Sequence, residues 1–173
     1  MTGFGGGCEI VGGPAFGAGV YITFSQNHGI EVGLLGLTVL SFGWAIGSIY
    51  SAAVAKDRIQ MIAYIPLVVL QGLFGYLSLA GVIEATLFGA LITAWGILIG
   101  GYEILQGQML GLRTRAGRDH LTTALLTIAL GALFLLAPLD EVSAVGFFGA
   151  YMVLIAVHLG LVAASPAESQ KKS

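Results

Sequence analysis

Three segments of this chain repeat one spacing of small residues. They are GLTVLSFGWAIG at residues 36–47, GALITAWGILIG at 89–100 and GAYMVLIAVHLG at 149–160. Small residues stand at the first, eighth and twelfth positions of each segment, and this spacing places them on one face of a helix. We call these positions the small-residue face; they are Gly36, Gly43, Gly47, Gly89, Gly96, Gly100, Gly149, Ala156 and Gly160.

The small-residue face predicts close helix packing. Lipid tails are as apolar as leucine side chains, so helices in a bilayer associate through close contact, which small residues permit. The alternative interpretation is that the bare backbone lines a pathway for a small solute. Each copy follows another apolar segment, so the repeating unit is predicted to be a helical hairpin.

The composition indicates a protein that lies in a lipid bilayer. Hydrophobic residues make up 57% of the chain and charged residues 9%, and the mean hydropathy is +0.93. A soluble domain of this length needs far more charge on its surface. The net charge of -2 and the lack of a basic run argue against nucleic acid as a partner.

Six segments are long and apolar enough to predict an all-α membrane protein of six transmembrane helices, arranged as three repeated hairpins. The predicted helices are 9–24, 30–55, 59–80, 82–105, 121–138 and 143–164. They form one domain, 1–164, with hairpins 9–55, 59–105 and 121–164 and a disordered tail, 165–173. The first helix is short and glycine-rich; we favour a full span, because the repeat requires a partner before the Gly36 helix.

Charge is distributed unevenly between the two ends of the predicted helices. All seven cations fall at one end: Lys56, Arg58, Arg113, Arg115, Arg118, Lys171 and Lys172. The other end carries Glu31, Glu84, Asp140 and Glu141. The positive-inside rule then predicts a multi-pass protein of the cell membrane with both termini in the cytoplasm. No cleavable signal peptide is predicted at the start of the chain.

Glu103 and His158 are the candidate proton-linked residues. Glu103 lies near the cationic end of the fourth helix, where it either extends toward Arg113 or Arg115 as an interfacial anchor or serves a proton-linked role. His158 is either a hydrogen-bonded core residue or a switch that titrates near neutral pH. A weaker hypothesis has His28, with Asp140 and Glu141, sensing external acidity.

No pattern predicts catalysis, a metal or a cofactor. Cys8 is the single cysteine, and the histidines show no spacing typical of metal ligands. We therefore expect a protein that is not an enzyme. The segment containing Arg113, Arg115, Arg118, Asp119 and His120 is predicted to be a solvated basic loop that touches anionic lipid headgroups.

The repeated hairpin resembles the HdeD family of small bacterial membrane proteins. The resemblance covers residues 66–164 and is carried by Gly72, Gly89, Gly96, Gly100, Gly131, Pro138, Gly149 and Gly160. Two features depart from it: Ala156 stands where a glycine is expected, and Pro138 has no counterpart near Gly81. The resemblance implies six short spans and a non-enzymatic role in acid or envelope stress tolerance, and it supplies no catalytic residues.

Two other functions remain open. A small transporter or channel for protons or a weak acid is the first, although Gly13-Pro14-Ala15-Phe16-Gly17 matches the Asn-Pro-Ala-Pro-Leu-Gly signature of acetate/succinate permeases only in part. The second is an accessory subunit of a larger membrane complex, or a homo-oligomer. Its motive is the run of small residues between Gly12 and Gly19, which could form an intermolecular contact.

Overall fold

The computed structural model describes residues 3–25, 29–54, 58–80 and 85–164, with side chains from residue 11 onward except at 60, 85 and 86. Within these ranges every regular element is an α-helix, which confirms the predicted all-α class. The helices are α1 (Gly3–Phe24), α2 (Ile30–Val54), α3 (Arg58–Leu79), α4 (Ala85–Leu110), α5 (Arg115–Leu136) and α6 (Glu141–Ala164).

Five of the described helices are long and apolar enough to cross a membrane: Ile30–Val54, Met61–Leu79, Leu87–Leu110, Arg115–Leu136 and Glu141–Ala164. In α1 the described apolar stretch, Val11–Phe24, is shorter. The fold is therefore that of a multi-pass membrane protein. Whether α1 crosses completely stays a prediction.

The turn between α4 and α5 is much shorter than predicted. Gly111 has φ of +88°, a left-handed conformation that ends a helix and suits glycine. Thr114 then caps α5, because its side-chain oxygen accepts a hydrogen bond from the backbone nitrogen of Gly117 at 3.0 Å. Asp119 and His120 consequently lie inside α5, so the predicted basic loop over this segment is wrong.

The helices form a closed ring of neighbours around one apolar core. The most extensive contacts are between α4 and α5, between α1 and α6, and between α2 and α3, followed by α1 with α2. The contacts of α3 with α4 and of α5 with α6 are far smaller. Neighbours in the predicted second and third hairpins are thus not each other's main partners, and the threefold repeat stays a prediction. The largest core side chains include Leu37, Leu40, Phe88, Ile92, Trp95, Ile99, Phe148, Met152 and Ile155.

The beginnings of α2 and α6 are joined by acidic side chains. The Asp140 carboxylate accepts a hydrogen bond from the backbone nitrogen of Ser143 at 2.7 Å and caps α6. Glu141 Oε1 accepts one from the backbone nitrogen of Ile30 at 2.8 Å, in the first turn of α2. Carboxylates are favourable at helix N-termini. These two acids therefore define one end of the bundle, which we call the acidic end; the end bearing the α4–α5 turn is the cationic end.

Candidate functional site

The most distinctive polar contact in the bundle joins an acid of α4 and a histidine of α5. Oε2 of Glu103 and Nδ1 of His120 are 2.6 Å apart, and each residue is only 4% exposed. Glu103 therefore does not extend to the surface as an anchor beside Arg113 or Arg115. The early start of α5 explains the difference, because it places His120 one helical turn inside the bundle, opposite Glu103.

The Glu103–His120 pair lines a cavity of about 50 Å³, which we call the Glu103 cavity. Helices α1 to α6 all contribute to its wall: Val11, Trp44, Gly47, Ser48, Ser51, Tyr64, Leu67, Glu103, His120, Thr123 and Leu159. The space exceeds the roughly 15 Å³ that one water needs. The lining combines hydroxyl-bearing side chains with apolar ones, as in sites for small molecules.

Hydrogen bonds continue from the Glu103 cavity toward the middle of the bundle. The Thr127 hydroxyl donates a hydrogen bond of 2.7 Å to the backbone carbonyl oxygen of Thr123, a residue of the cavity wall one helical turn away. The hydroxyl oxygens of Thr127 and Tyr151 are 2.8 Å apart, which joins α5 to α6. The Tyr151 ring meets that of Trp95 edge-on, with centroids 5.8 Å apart. The interior therefore has a polar level beyond the cavity.

Trp95 extends this polar level to α3. Its indole nitrogen donates to Oε1 of Gln71 at 3.0 Å, and both residues are fully buried. Nε2 of Gln71 is buried with no hydrogen-bond partner among the described residues. An unsatisfied amide in an apolar interior is costly. Gln71 is therefore a residue that packing alone does not account for.

A second link fixes α4 to α3 beside the Glu103 cavity. The Tyr102 hydroxyl donates to the carbonyl oxygen of Ala63, and Nε2 of Gln106 donates to the Tyr102 hydroxyl at 2.7 Å. Tyr102 directly precedes Glu103. The link therefore restricts the rotation of α4 at the position of the acid.

His158 lies near this site and outside it. Its Nε2 is 3.3 Å from the backbone carbonyl oxygen of Asp119, and the residue is half-buried on α6. The neighbouring residue Leu159 lines the Glu103 cavity, whereas His158 does not. Of the predicted acid-sensing group, His28 is outside the described residues, and Asp140 and Glu141 cap helices instead.

The small-residue face divides into tightly packed and open positions. A Cβ placed on Gly36 or on Gly149 would lie 2.6 Å from a side-chain carbon of Ile22. On Gly96 it would lie 2.8 Å from the carbonyl oxygen of Thr127, and on Gly100 2.5 Å from Cγ1 of Ile128. These glycines therefore bring α2 and α6 against α1, and α4 against α5.

The remaining positions of the face are looser. A Cβ on Gly43 would be 3.7 Å from Pro14, and one on Gly89 would be 3.9 Å from Phe134. Gly47 lines the Glu103 cavity, and Ala156 is buried. Gly160 is exposed, and a Cβ there would meet nothing within 4 Å, although its backbone nitrogen would lie 3.9 Å from a Cβ placed on Gly12 of α1.

The glycines of α1 contact this chain's own last helix. A Cβ on Gly19 would lie 2.9 Å from Cγ2 of Val153, and one on Gly12 would lie 3.7 Å from the carbonyl oxygen of Ala156. Gly13 and Gly17 are exposed, and a Cβ on either would meet nothing within 4 Å. Two of the four glycines that were predicted to form an intermolecular contact are therefore packed inside the bundle.

Sequence reasoning missed His120 because it assigned the polar stretch after the fourth helix to a loop. The signal that could have found it is Gly111 followed by Thr114, a helix end and a helix cap three residues apart. Among the described side chains, no group of three or more His, Cys, Asp or Glu could hold a metal ion.

Comparison with known proteins adds no relative to this picture. No family model, no curated protein and no solved structure matches the chain. The resemblance to the HdeD family stays a prediction, and the site must be interpreted from its own chemistry.

Proposed function

We propose that this chain is a non-enzymatic membrane transporter or channel that links the movement of a small solute to proton binding at Glu103 and His120. The observation that supports the proposal is the burial of this pair against a cavity inside a bundle of apolar helices. Ionisable groups in such surroundings are energetically expensive, and they typically mark proton or substrate pathways.

The chemistry of the pair suits this role. An imidazole and a carboxylate can each bind and release a proton. A carboxylate beside an imidazolium has no net charge, so one further proton makes the pair positive, and loss of one makes it negative. Because uncompensated charge is costly in an apolar interior, the protonation state of the pair favours a solute of the opposite charge in the adjacent cavity. Proton binding and solute binding are thereby linked.

The proposed setting is the cell membrane, with the cationic end of the bundle in the cytoplasm. The α4–α5 turn supports this orientation, since Arg113 and Arg118 are exposed there, while Asp140 and Glu141 are exposed at the opposite end. Reporter fusions to the two termini test this orientation. A reporter that is active only in the cytoplasm should work at both termini. A signal from a periplasmic reporter at either terminus would contradict the proposed orientation.

The expected physiological role is acid or envelope stress tolerance, as the resemblance to the HdeD family implies. A group that binds protons inside the bundle gives such a role a physical basis. Deletion of the gene should lower survival after an acid shift, and a plasmid carrying the Glu103→Gln variant should fail to restore it. Unchanged survival of the deletion strain under several growth states would exclude this role without touching the transport proposal.

Transport itself is tested with purified protein in liposomes that contain a pH-sensitive dye. A gradient of acetate or of protons should produce a flux that Glu103→Gln abolishes. The matched control is Glu31→Gln, because Glu31 is an exposed acid in the first turn of α2. The proposal is wrong if the unaltered protein carries no flux of either probe, or if Glu103→Gln transports as well as Glu31→Gln.

A further inference from the structure

A second cavity lies at the acidic end, and the function of the pair does not account for it. It encloses about 270 Å³ and is lined by residues from α2, α4, α5 and α6 together with the α5–α6 connection. Its wall contains Ile30, Phe88, Gly89, Ala90, Phe134, Ala137, Pro138, Leu139, Asp140, Glu141 and Ala144. We call it the Asp140 cavity.

Behind the inner wall of the Asp140 cavity lies a chain of aromatic contacts that begins at Phe88. Phe88 of α4 lines it and is 1% exposed. Phe88 meets Phe148 of α6 edge-on, with ring centroids 6.1 Å apart, and Phe148 is fully buried. Phe148 is in turn stacked on Tyr151, with centroids 6.4 Å apart. Phe148 thus contacts both Phe88, in the wall of the Asp140 cavity, and Tyr151, at the polar level.

The two cavities share one face of α4. Phe88, Ile92, Trp95, Ile99 and Glu103 follow each other at helical spacing, and all are buried. At 1.5 Å per residue, Trp95 lies about 10 Å along the helix from Phe88, and Glu103 lies about 12 Å beyond Trp95. Thr127 and Tyr151, whose hydroxyls are hydrogen-bonded to each other, contact α4 at Gly96 and Trp95, whereas the Phe88 level is apolar.

We propose that the Phe88–Phe148 contact is the gate of the transport route, and that the Asp140 cavity is the mouth of that route at the acidic end. The inference rests on the proposed function. A solute or proton that reaches the Glu103 cavity from the acidic end passes the two rings first, and the hydroxyl groups of Tyr151 and Thr127 receive it next. Displacement of Phe148 opens the Asp140 cavity toward Tyr151, on which Phe148 is stacked.

The gate is tested by the reactivity of a cysteine placed behind it. The background is Cys8→Ser, since Cys8 is the chain's single cysteine. Thr127→Cys places a thiol at a fully buried position on the inner side of the gate. Val142→Cys, at a residue 62% exposed at the acidic end, reports which vesicles present that end to the medium. An impermeant thiol reagent is then added outside reconstituted vesicles.

Thr127→Cys should remain unmodified while Val142→Cys reacts. Adding Phe148→Ala should raise the modification rate of Thr127→Cys by about tenfold or more, which corresponds to a loss of about 1.4 kcal/mol in the closing free energy. The control is Phe147→Ala, which removes the same ring from a neighbouring residue that is 47% exposed on the outer side of α6. It should leave the rate unchanged.

Two results would overturn the gate. One is modification of Thr127→Cys as fast as Val142→Cys with Phe148 intact; the other is an unchanged rate in every folded gate variant. Phe148→Leu serves if Phe148→Ala does not fold, and it should give a smaller increase. Because thiol modification requires no transport, a protein with a working gate and no flux would reject the proposed function alone.

Discussion

Glu103 lies seven residues before the last residue of α4, and His120 is the sixth residue of α5. The two face each other across a connection of only four residues, 111–114, and their side chains meet at 2.6 Å. The pair is thus part of the most extensive helix contact in the protein, between α4 and α5. Its geometry depends on the same turn that ends one helix and begins the other.

The Glu103–His120 pair should contribute little net stability to the fold, whereas transport should require it. Glu103→Leu or His120→Leu alone breaks a buried pair and should cost about 3–5 kcal/mol of unfolding free energy. The double substitution leaves no unpaired charge and should recover most of that loss. Unfolding in mild detergent measures the three variants, and liposome flux should be absent from all of them. A double variant less stable than either single one would contradict this reasoning.

Gly96→Ala should destabilise the protein, since the new Cβ would meet backbone atoms of α5 at 2.8 and 2.9 Å. Overpacking of this kind costs about 1–3 kcal/mol, which exceeds the gain of about 1 kcal/mol from the better helix propensity of alanine. Gly101→Ala is the matched control on the same helix, where nothing lies within 4 Å. It should stabilise or be neutral. Equal melting temperatures of the two variants would show that α4 and α5 are not this close.

The two tryptophans provide a test of the hydrogen bond to Gln71. Trp95→Phe and Trp44→Phe remove the same atoms from buried positions, but only the Trp95 indole nitrogen has a hydrogen-bond acceptor among the described residues. Trp95→Phe should therefore be less stable than Trp44→Phe by about 1–3 kcal/mol, because it leaves Oε1 of Gln71 without a hydrogen-bond donor. Chemical unfolding measures the difference, and adding Gln71→Leu to Trp95→Phe should reduce it. No recovery in that double variant would argue against the bond.

The stabilisation that Asp140 gives to the N-terminus of α6 should depend on pH. The backbone hydrogen bond from Ser143 lowers the pKa of the Asp140 carboxyl below its ordinary value of 3.8. A lowered pKa in the folded state means that the charged form stabilises the fold above about pH 4 and that this contribution is lost as the pH falls through the folded pKa. Asp140→Ala should thus lower the melting temperature at pH 7 and have a smaller effect near pH 2.

Asp140→Asn is the control for this prediction, because asparagine also caps helices but carries no charge. It should retain part of the stability at pH 7 and remove the pH dependence. If Asp140→Ala changes the melting temperature equally at both pH values, the carboxylate does not contribute in its charged form.

The helices could be predicted from the sequence because their signals are local. The apolar runs that form α2, α3 and α6 are bounded by polar or helix-capping residues, and their observed ends agree with prediction within a few residues. The spacing of Gly96 and Gly100 indicates packing positions, but spacing alone does not identify the partner helix. The contacts of Gly36 and Gly149 with Ile22 join segments far apart in the chain, and only the tertiary structure supplies them.

The site was only half predictable for a similar reason. A carboxylate in an apolar helix, Glu103, is conspicuous in the sequence, whereas His120 directly follows Arg118 and Asp119, two charged residues that are typical of a loop. The cost of burying Glu103 depends on where α5 begins, and α5 begins at Arg115 because of the single hydroxyl of Thr114. A prediction that places that cap six residues late loses the pair entirely.

The hydrogen bond from Ile30 to Glu141 has a consequence for biogenesis. It connects positions 111 residues apart, and α1 likewise has α6 as its most extensive neighbour. During synthesis the early helices must enter the lipid before their last neighbour exists. We therefore expect nascent chains that stop before residue 141 to remain open at α1, with Gly19 facing lipid, and to be targets for membrane proteases until the ribosome completes the final helix.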